Sequence, residues 1–151
     1  MAKRYFTIHK GDCMGCHACE VACKQEHALG VGPRLIKVIE NSPDFIPVYC
    51  RHCARAPCAE ACPVDAISRK DEGIVLIDAN ACIGCRDCVE ACPFGAMQFE
   101  EQKEIAVKCD LCIGRLTEKQ LPACLSVCPT GCIRLGGQES VARLFEPANR
   151  E

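Results

Sequence analysis

At 151 residues the chain has room for one compact domain or two very small ones, and a formal charge of −2 leaves no basic stripe for nucleic acid. No stretch approaches the roughly 18 apolar residues that span a bilayer, so no transmembrane segment is expected. With no Trp, two Tyr and five Phe beside 17 Cys, the chain is poor in side chains that fill an organic core and rich in one that binds metal.

Taken from the N-terminus, a short strand is expected over 4–8, then the quartet Cys13-x2-Cys16-x2-Cys19-x3-Cys23. A helix over 20–27 carries Cys23. Lys24 rather than Pro follows that cysteine, so this helix is free to run on through Leu29 before Gly30 stops it. Residues 30–33 and 41–47 read as surface loops flanking a strand over 35–39. The second quartet, Cys50-x2-Cys53-x4-Cys58-x3-Cys62, has a helical piece over 59–61 and is followed by a strand over 74–77. The third, Cys82-x2-Cys85-x2-Cys88-x3-Cys92, has one over 89–91 and is followed by a strand over 104–107. The fourth is stretched, Cys109-x2-Cys112-x11-Cys124-x3-Cys128, with a helix over 111–119. A last helix over 137–145 carries the stripe Val141, Leu144 and Phe145, which either packs on the domain or docks a partner subunit.

Strand, cysteine loop and short helix recur, which makes the fold class α+β. Cys62-Pro63-Val64-Asp65-Ala66-Ile67, Cys92-Pro93-Phe94-Gly95-Ala96-Met97 and Cys128-Pro129-Thr130-Gly131-Cys132-Ile133 are three copies of one phrase. In each, a Cys-Pro ends a helical stretch and a turn leads to an apolar residue. Gly15 and Gly84 lie inside cysteine loops, where free φ lets the backbone approach closely.

Four thiolates hold one cubane cluster, so four quartets can hold four [4Fe–4S] clusters. Disulfides need an oxidising compartment and normally an export signal. The first ten residues show no apolar h-region, twin-arginine pair or cleavage site. A cytoplasmic chain is therefore expected, with export on a partner's signal as the alternative. Zinc ribbons use Cys-x2-Cys pairs but rarely three cysteines at x2-x2 spacing, and rarely follow the last with Pro. An oxidised cubane with four thiolates carries about −2, so four clusters take the loaded protein to about −10 and call for basic surfaces on its redox partners.

In two-cluster ferredoxins with this spacing the fourth cysteine ligates the other cluster. Applied to the adjacent middle quartets, that rule groups Cys50, Cys53 and Cys58 with Cys92, and Cys82, Cys85 and Cys88 with Cys62. The outer quartets then pair by elimination, Cys13, Cys16 and Cys19 with Cys128, and Cys109, Cys112 and Cys124 with Cys23. The expected architecture is two ferredoxin-like units, each with two clusters, one nested in the other. The outer unit takes residues 1–40 and 104–136, the inner takes 41–103, and a C-terminal helix takes 137–151. The clusters are expected to lie along a line.

With these motifs in place, the chain resembles the four-cluster iron–sulfur subunit of molybdenum- and tungsten-pterin oxidoreductases such as dimethyl sulfoxide reductase and formate dehydrogenase. It is also similar to small polyferredoxins that accompany tungsten aldehyde oxidoreductases, hydrogenases and carbon monoxide dehydrogenases. The resemblance covers about 5–135. It rests on Asp12-Cys13-Met14-Gly15-Cys16-His17-Ala18-Cys19 with Ala22-Cys23-Lys24, on Cys50-Arg51-His52-Cys53 with Pro57-Cys58, and on Lys108-Cys109-Asp110-Leu111-Cys112. It implies an electron wire between a catalytic subunit and an outside donor or acceptor, which is a flavin or further electron-transfer subunit in some complexes. A hetero-oligomer follows, and end-to-end contacts between copies are open to a linear chain of clusters. The long insertions and C-terminal membrane helix of larger relatives are missing, which points to a soluble complex acting on aldehyde, formate or a related low-potential substrate. A freestanding ferredoxin that shuttles by diffusion is the alternative.

No G-x-G-x-x-G fingerprint, P-loop or nucleophile motif is present, so no catalytic site is expected in this chain. Cys132 stands where the other copies have Ala66 and Ala96, either as a small buried thiol or as a substitute ligand. His17 and His52 lie inside cysteine loops, and N–H···S bonding from either would tune a cluster's potential. Lys24, Arg51, Arg86 and Lys108 abut cluster cysteines, and either offset cluster charge or are solvated surface.

Overall fold

The computed structural model describes residues 5–136, so the expected helix over 137–145 and its apolar stripe lie outside the described residues. Eight short strands pair into four separate antiparallel ribbons. β1 (Tyr5–Ile8) pairs with β8 (Ile133–Gly136), with Ile8 opposite Ile133, and so brings the two ends of the described chain together. β2 (Ile36–Asn41) pairs with β3 (Asp44–Tyr49), β4 (Ile67–Arg69) with β5 (Val75–Ile77), and β6 (Gln98–Glu100) with β7 (Ile105–Val107). Two-stranded ribbons are marginal by themselves and need a packed face. Here that face is supplied by short helices and cysteine loops.

The five α-helices are α1 (Ala18–Glu26), α2 (Pro57–Ala61), α3 (Asp87–Ala91), α4 (Ile113–Thr117) and α5 (Ala123–Ser126). α2 starts with Pro57 at its first turn, where the missing N–H costs nothing. α2 and α3 stop at Cys62 and Cys92, whose extended ψ of 117° and 113° is what a residue before proline must adopt. The Cys-Pro pairs thus end the helices as expected. α1 packs on α5 and α2 on α3, so Cys23 on α1, and Cys62, Cys92 and Cys128 just past the ends of α2, α3 and α5, each belong to a helix that packs on another quartet's helix.

α1 ends earlier than Gly30 implies. Ala28 takes φ +49°, its N–H bonds the Gln25 carbonyl at 3.3 Å, and the Leu29 N–H bonds the Lys24 carbonyl at 3.0 Å. That is a Schellman cap built on alanine rather than glycine. The segment 41–47 is not a loop: Asn41 faces Asp44 across a two-residue Ser42-Pro43 turn, and Pro47 sits within β3 opposite Val38. A two-stranded ribbon has only edge strands, so Pro47 is tolerated there. The helix expected over 111–119 begins only at Ile113, because Leu111 and Cys112 have φ +58° and +49°. β4, β6, β8 and α5, each three or four residues long, were below what periodicity resolves.

Buried side chains fall into two groups. One joins Phe6, Leu35, Tyr49, Ile74, Leu111 and Leu135, drawn from along the whole chain. The other joins Ala56, Ile67, Val75, Cys88, Met97 and Ala106, all from its middle. Ile74 and Val75 are neighbours that face different cores, as successive residues of extended chain do. Among the described residues no helix is long and apolar enough to cross a membrane.

Candidate metal centres

The cysteine loops share a backbone shape. Gly15 and His17 have φ +70° and +59°, and Gly84 and Arg86 have φ +73° and +67°. Left-handed residues flanking one cysteine turn successive N–H groups toward the concave side of the loop, a shape that favours anionic guests. At Gly84 a Cβ would also come 2.5 Å from the Glu104 carbonyl oxygen. Backbone N–H groups already reach cysteine sulfur: His52 to Cys50 at 3.4 Å, Leu111 to Cys109 at 3.4 Å, and Ala66 to Cys62 at 3.3 Å.

Three cavities of nearly equal size open among the cysteines. One, of about 330 Å³, is lined by Cys62, Cys82, Cys85 and Cys88. A second, of about 350 Å³, is lined by Cys13, Cys16, Cys19 and Cys128, and also by Cys132. A third, of about 360 Å³, is lined by Cys50, Cys53, Cys58 and Cys92. Of the remaining four, Cys109, Cys112 and Cys23 are close enough to Cys124 to add to the effect of burial, which pushes its thiol well up.

The same interactions show which groups are neighbours. Burial pushes the Cys88 thiol up to about 11, with Cys82, Cys85 and, from the Cys50 group, Cys58 adding to it. Cys109 is raised by burial and, among charged neighbours, by Cys50. Cys124 also feels Cys19. The Cys82 group thus neighbours the Cys50 group, the Cys50 group the Cys109 group, and the Cys109 group the Cys13 group. Of all 17 cysteines only Cys16 and Cys85 are exposed, one in the Cys13 group and one in the Cys82 group. Met14 and Ile83 beside them are 57% and 63% exposed, while Cys109, Cys112 and Cys124 in the middle are buried. Burial likewise lifts Cys19 to about 12, so without a cation to neutralise them these thiols stay protonated at neutral pH.

The polar residues divide. His17, expected to reach sulfur, instead meets Glu20 through Nδ1 at 3.2 Å and Glu40 through Nε2 at 3.1 Å. Glu20, buried on α1, accepts the Val38 N–H at 2.5 Å and pairs with Arg34 at 3.1 Å, so α1 is fastened to β2. Burial opposes its charge, but Val38, His17 and Arg34 outweigh that and hold its carboxyl below the usual range. Asp110 bridges the fourth group: it accepts the Cys112 N–H at 2.8 Å and pairs with His27 at 2.9 Å. Asp110 first, then Cys23, raises His27 to about 11. Neither acid was singled out by spacing, although both sit next to a cysteine.

Of the four cations, Lys24 donates to the Gly30 carbonyl at 2.8 Å, Arg51 lies over the Tyr49 and Phe94 rings, and Arg86 stacks on Phe99 and pairs with Glu101. Lys108 alone is buried, donating to the carbonyls of Val75 and Cys109 while lining the Cys50 cavity. Cys132 is buried with its sulfur 3.5 Å from that of Cys128. Burial raises the Cys128 thiol, yet hydrogen bonds from Thr130 and Cys132 outweigh it and bring Cys128 to about 7.

Known proteins share these features. Residues 42–138 match a family described as a 4Fe-4S dicluster domain, and 12–66 match a second of the same description. The electron transfer subunit of thiosulfate reductase from Salmonella typhi is 38% identical over 148 residues, covering 90% of this chain and 77% of that one. The formate dehydrogenase iron-sulfur subunit of Wolinella succinogenes is 33% identical over 172 residues, covering 95% and 86%. Among solved structures, the active site complex BamBC of benzoyl coenzyme A reductase superposes with a TM-score of 0.53 at 21% identity, over 91% of this chain and 79% of that one. That likeness speaks for the fold.

Proposed function

This chain belongs to the 4Fe-4S dicluster domain family, and we propose that each of its four cysteine groups holds one cluster. It is an electron-transfer subunit carrying four [4Fe–4S] clusters, not a catalytic subunit. The proposed ligand sets are Cys13, Cys16, Cys19 and Cys128; Cys23, Cys109, Cys112 and Cys124; Cys50, Cys53, Cys58 and Cys92; and Cys62, Cys82, Cys85 and Cys88. Four sulfurs around an apolar cavity, with backbone N–H groups bonded to cysteine sulfurs such as those of Cys50 and Cys62, are the donor set a cubane needs. Each cluster, when bound, takes up and gives up one electron at a time. The chain's own part is to hold four such centres in sequence, shield the inner ones from water and expose the outer two.

The observation that carries this reading is the run of neighbouring groups from the Cys82 group through the Cys50 and Cys109 groups to the Cys13 group, with Cys85 and Cys16 exposed in its first and last members. It makes the Cys13 and Cys82 groups the points of electron entry and exit. Exposed Met14 and Ile83 give each end an apolar contact for a partner.

One partner is a catalytic subunit of the molybdenum- or tungsten-pterin type, acting on formate or a related small low-potential substrate. The similarity to iron-sulfur subunits of thiosulfate reductase and formate dehydrogenase supports that class. Sixteen ligating thiols must stay reduced, which suits the cytoplasm. Anaerobic purification of the native complex tests the partner: a large subunit with molybdenum or tungsten is expected, and a chain that elutes alone contradicts it. Cys23→Ser and Cys109→Ser test the wiring, since both must alter the paramagnetic signal of one and the same cluster.

A further inference from the structure

His52 is 6% exposed and lines the Cys50 cavity. Its Nδ1 accepts the Val75 N–H at 3.0 Å. A nitrogen that accepts carries no proton, so the single proton of the neutral ring sits on Nε2 and makes that atom a donor. Nε2 is buried, yet no protein acceptor lies within hydrogen-bond reach of it. A buried donor without an acceptor is costly, and a native fold tolerates one only where something meets it.

We propose that His52 Nε2–H donates a hydrogen bond to sulfur of the cluster held by Cys50, Cys53, Cys58 and Cys92, and so raises that cluster's reduction potential above what its cysteines alone would set. This rests on the ligand assignment proposed above. The cavity offers the donor no other acceptor of this strength, since its remaining lining is cysteine sulfur, apolar side chains, and the cations Arg51 and Lys108. A donor to sulfur favours the reduced, more negative state. His52 is a positioning residue: it acts on the electron through the cluster's environment. Val75 fixes its tautomer, and the buried ammonium of Lys108, bonded to the Val75 carbonyl, fixes Val75. His17 is no second example, because both of its ring nitrogens face carboxylates.

The test uses the iron-loaded full chain, with Cys53→Ser identifying the affected cluster by its altered signal. In His52→Leu that same cluster's midpoint potential is expected to move negative while the other three stay put. His52→Gln, whose amide accepts from Val75 and donates from Nε2, is expected to restore most of it. In chain labelled with 15N-histidine, the reduced cluster is expected to show a nitrogen coupling and an exchangeable proton coupling, both lost in His52→Leu. If Cys53→Ser alters one cluster but its potential is unmoved in His52→Leu, this inference fails and the ligand reading stands. If Cys53→Ser alters none, the ligand reading fails and takes the inference with it. Should His52→Leu lose iron, the labelled unaltered chain decides: a nitrogen coupling upholds the bond and its absence overturns it.

Discussion

His27, which caps the C-terminal end of α1, and Asp110 in the last cysteine loop meet at 2.9 Å, although 83 positions separate them in the chain. The pair stands beside Cys23 and Cys112, which come from opposite ends of the sequence and share one proposed cluster. It is a clasp on one of the long-range closures of the fold. Asp110→Ala removes the acceptor of both His27 and the Cys112 N–H. The expected cost is about 2 kcal/mol in anaerobic denaturant unfolding, with faster iron loss from one cluster. Asp110→Asn, which still accepts from Cys112, is expected to lose less.

Glu20 is the corresponding joint between α1 and β2. Glu20→Ala leaves the Val38 N–H and Arg34 without their acceptor in a buried place. A loss of about 2–3 kcal/mol is expected in denaturant titration, several times that of an exposed carboxylate such as Glu101, whose pair with Arg86 is on the surface.

Gly84→Ala combines a left-handed φ with a Cβ aimed at the Glu104 carbonyl. The loop bearing Cys82 and Cys85 must open to take it. Iron analysis is expected to show about four iron atoms fewer per chain, with the other three clusters retained. Gly131→Ala has the same sign of φ but open space around it, so a loss of about 1 kcal/mol with full iron content is expected.

Much of the site was legible because ligand spacing is a local property of the chain. Which cysteines share a quartet, and where Cys-Pro ends a helix, depend on neighbours within a few residues. What escaped reading depends on distant contacts. The proline-containing strand 44–49 was invisible because only pairing with β2 makes it a strand. The partner that fixes His52 is a backbone N–H 23 residues away, which no side-chain pattern announces. His17 and His52 looked equivalent in sequence, each inside a cysteine loop. Glu40, on β2, draws one ring away, while burial beside Val75 and Lys108 holds the other in the cavity.

Removing the metal is expected to unfold most of the chain. The cores are small, the ribbons are two-stranded, and buried thiols such as Cys19 and Cys124 hold their protons until a cation displaces them. Far-ultraviolet circular dichroism after anaerobic chelation is expected to lose most of its native signal and to recover it on reconstitution with iron and sulfide. Recovery is expected to release protons into weakly buffered solution.

The most direct test of a four-centre relay is iron and acid-labile sulfide analysis of the anaerobically purified chain. About sixteen of each per chain are expected, four for every cysteine group. About eight of each, or zinc in place of iron, would contradict it.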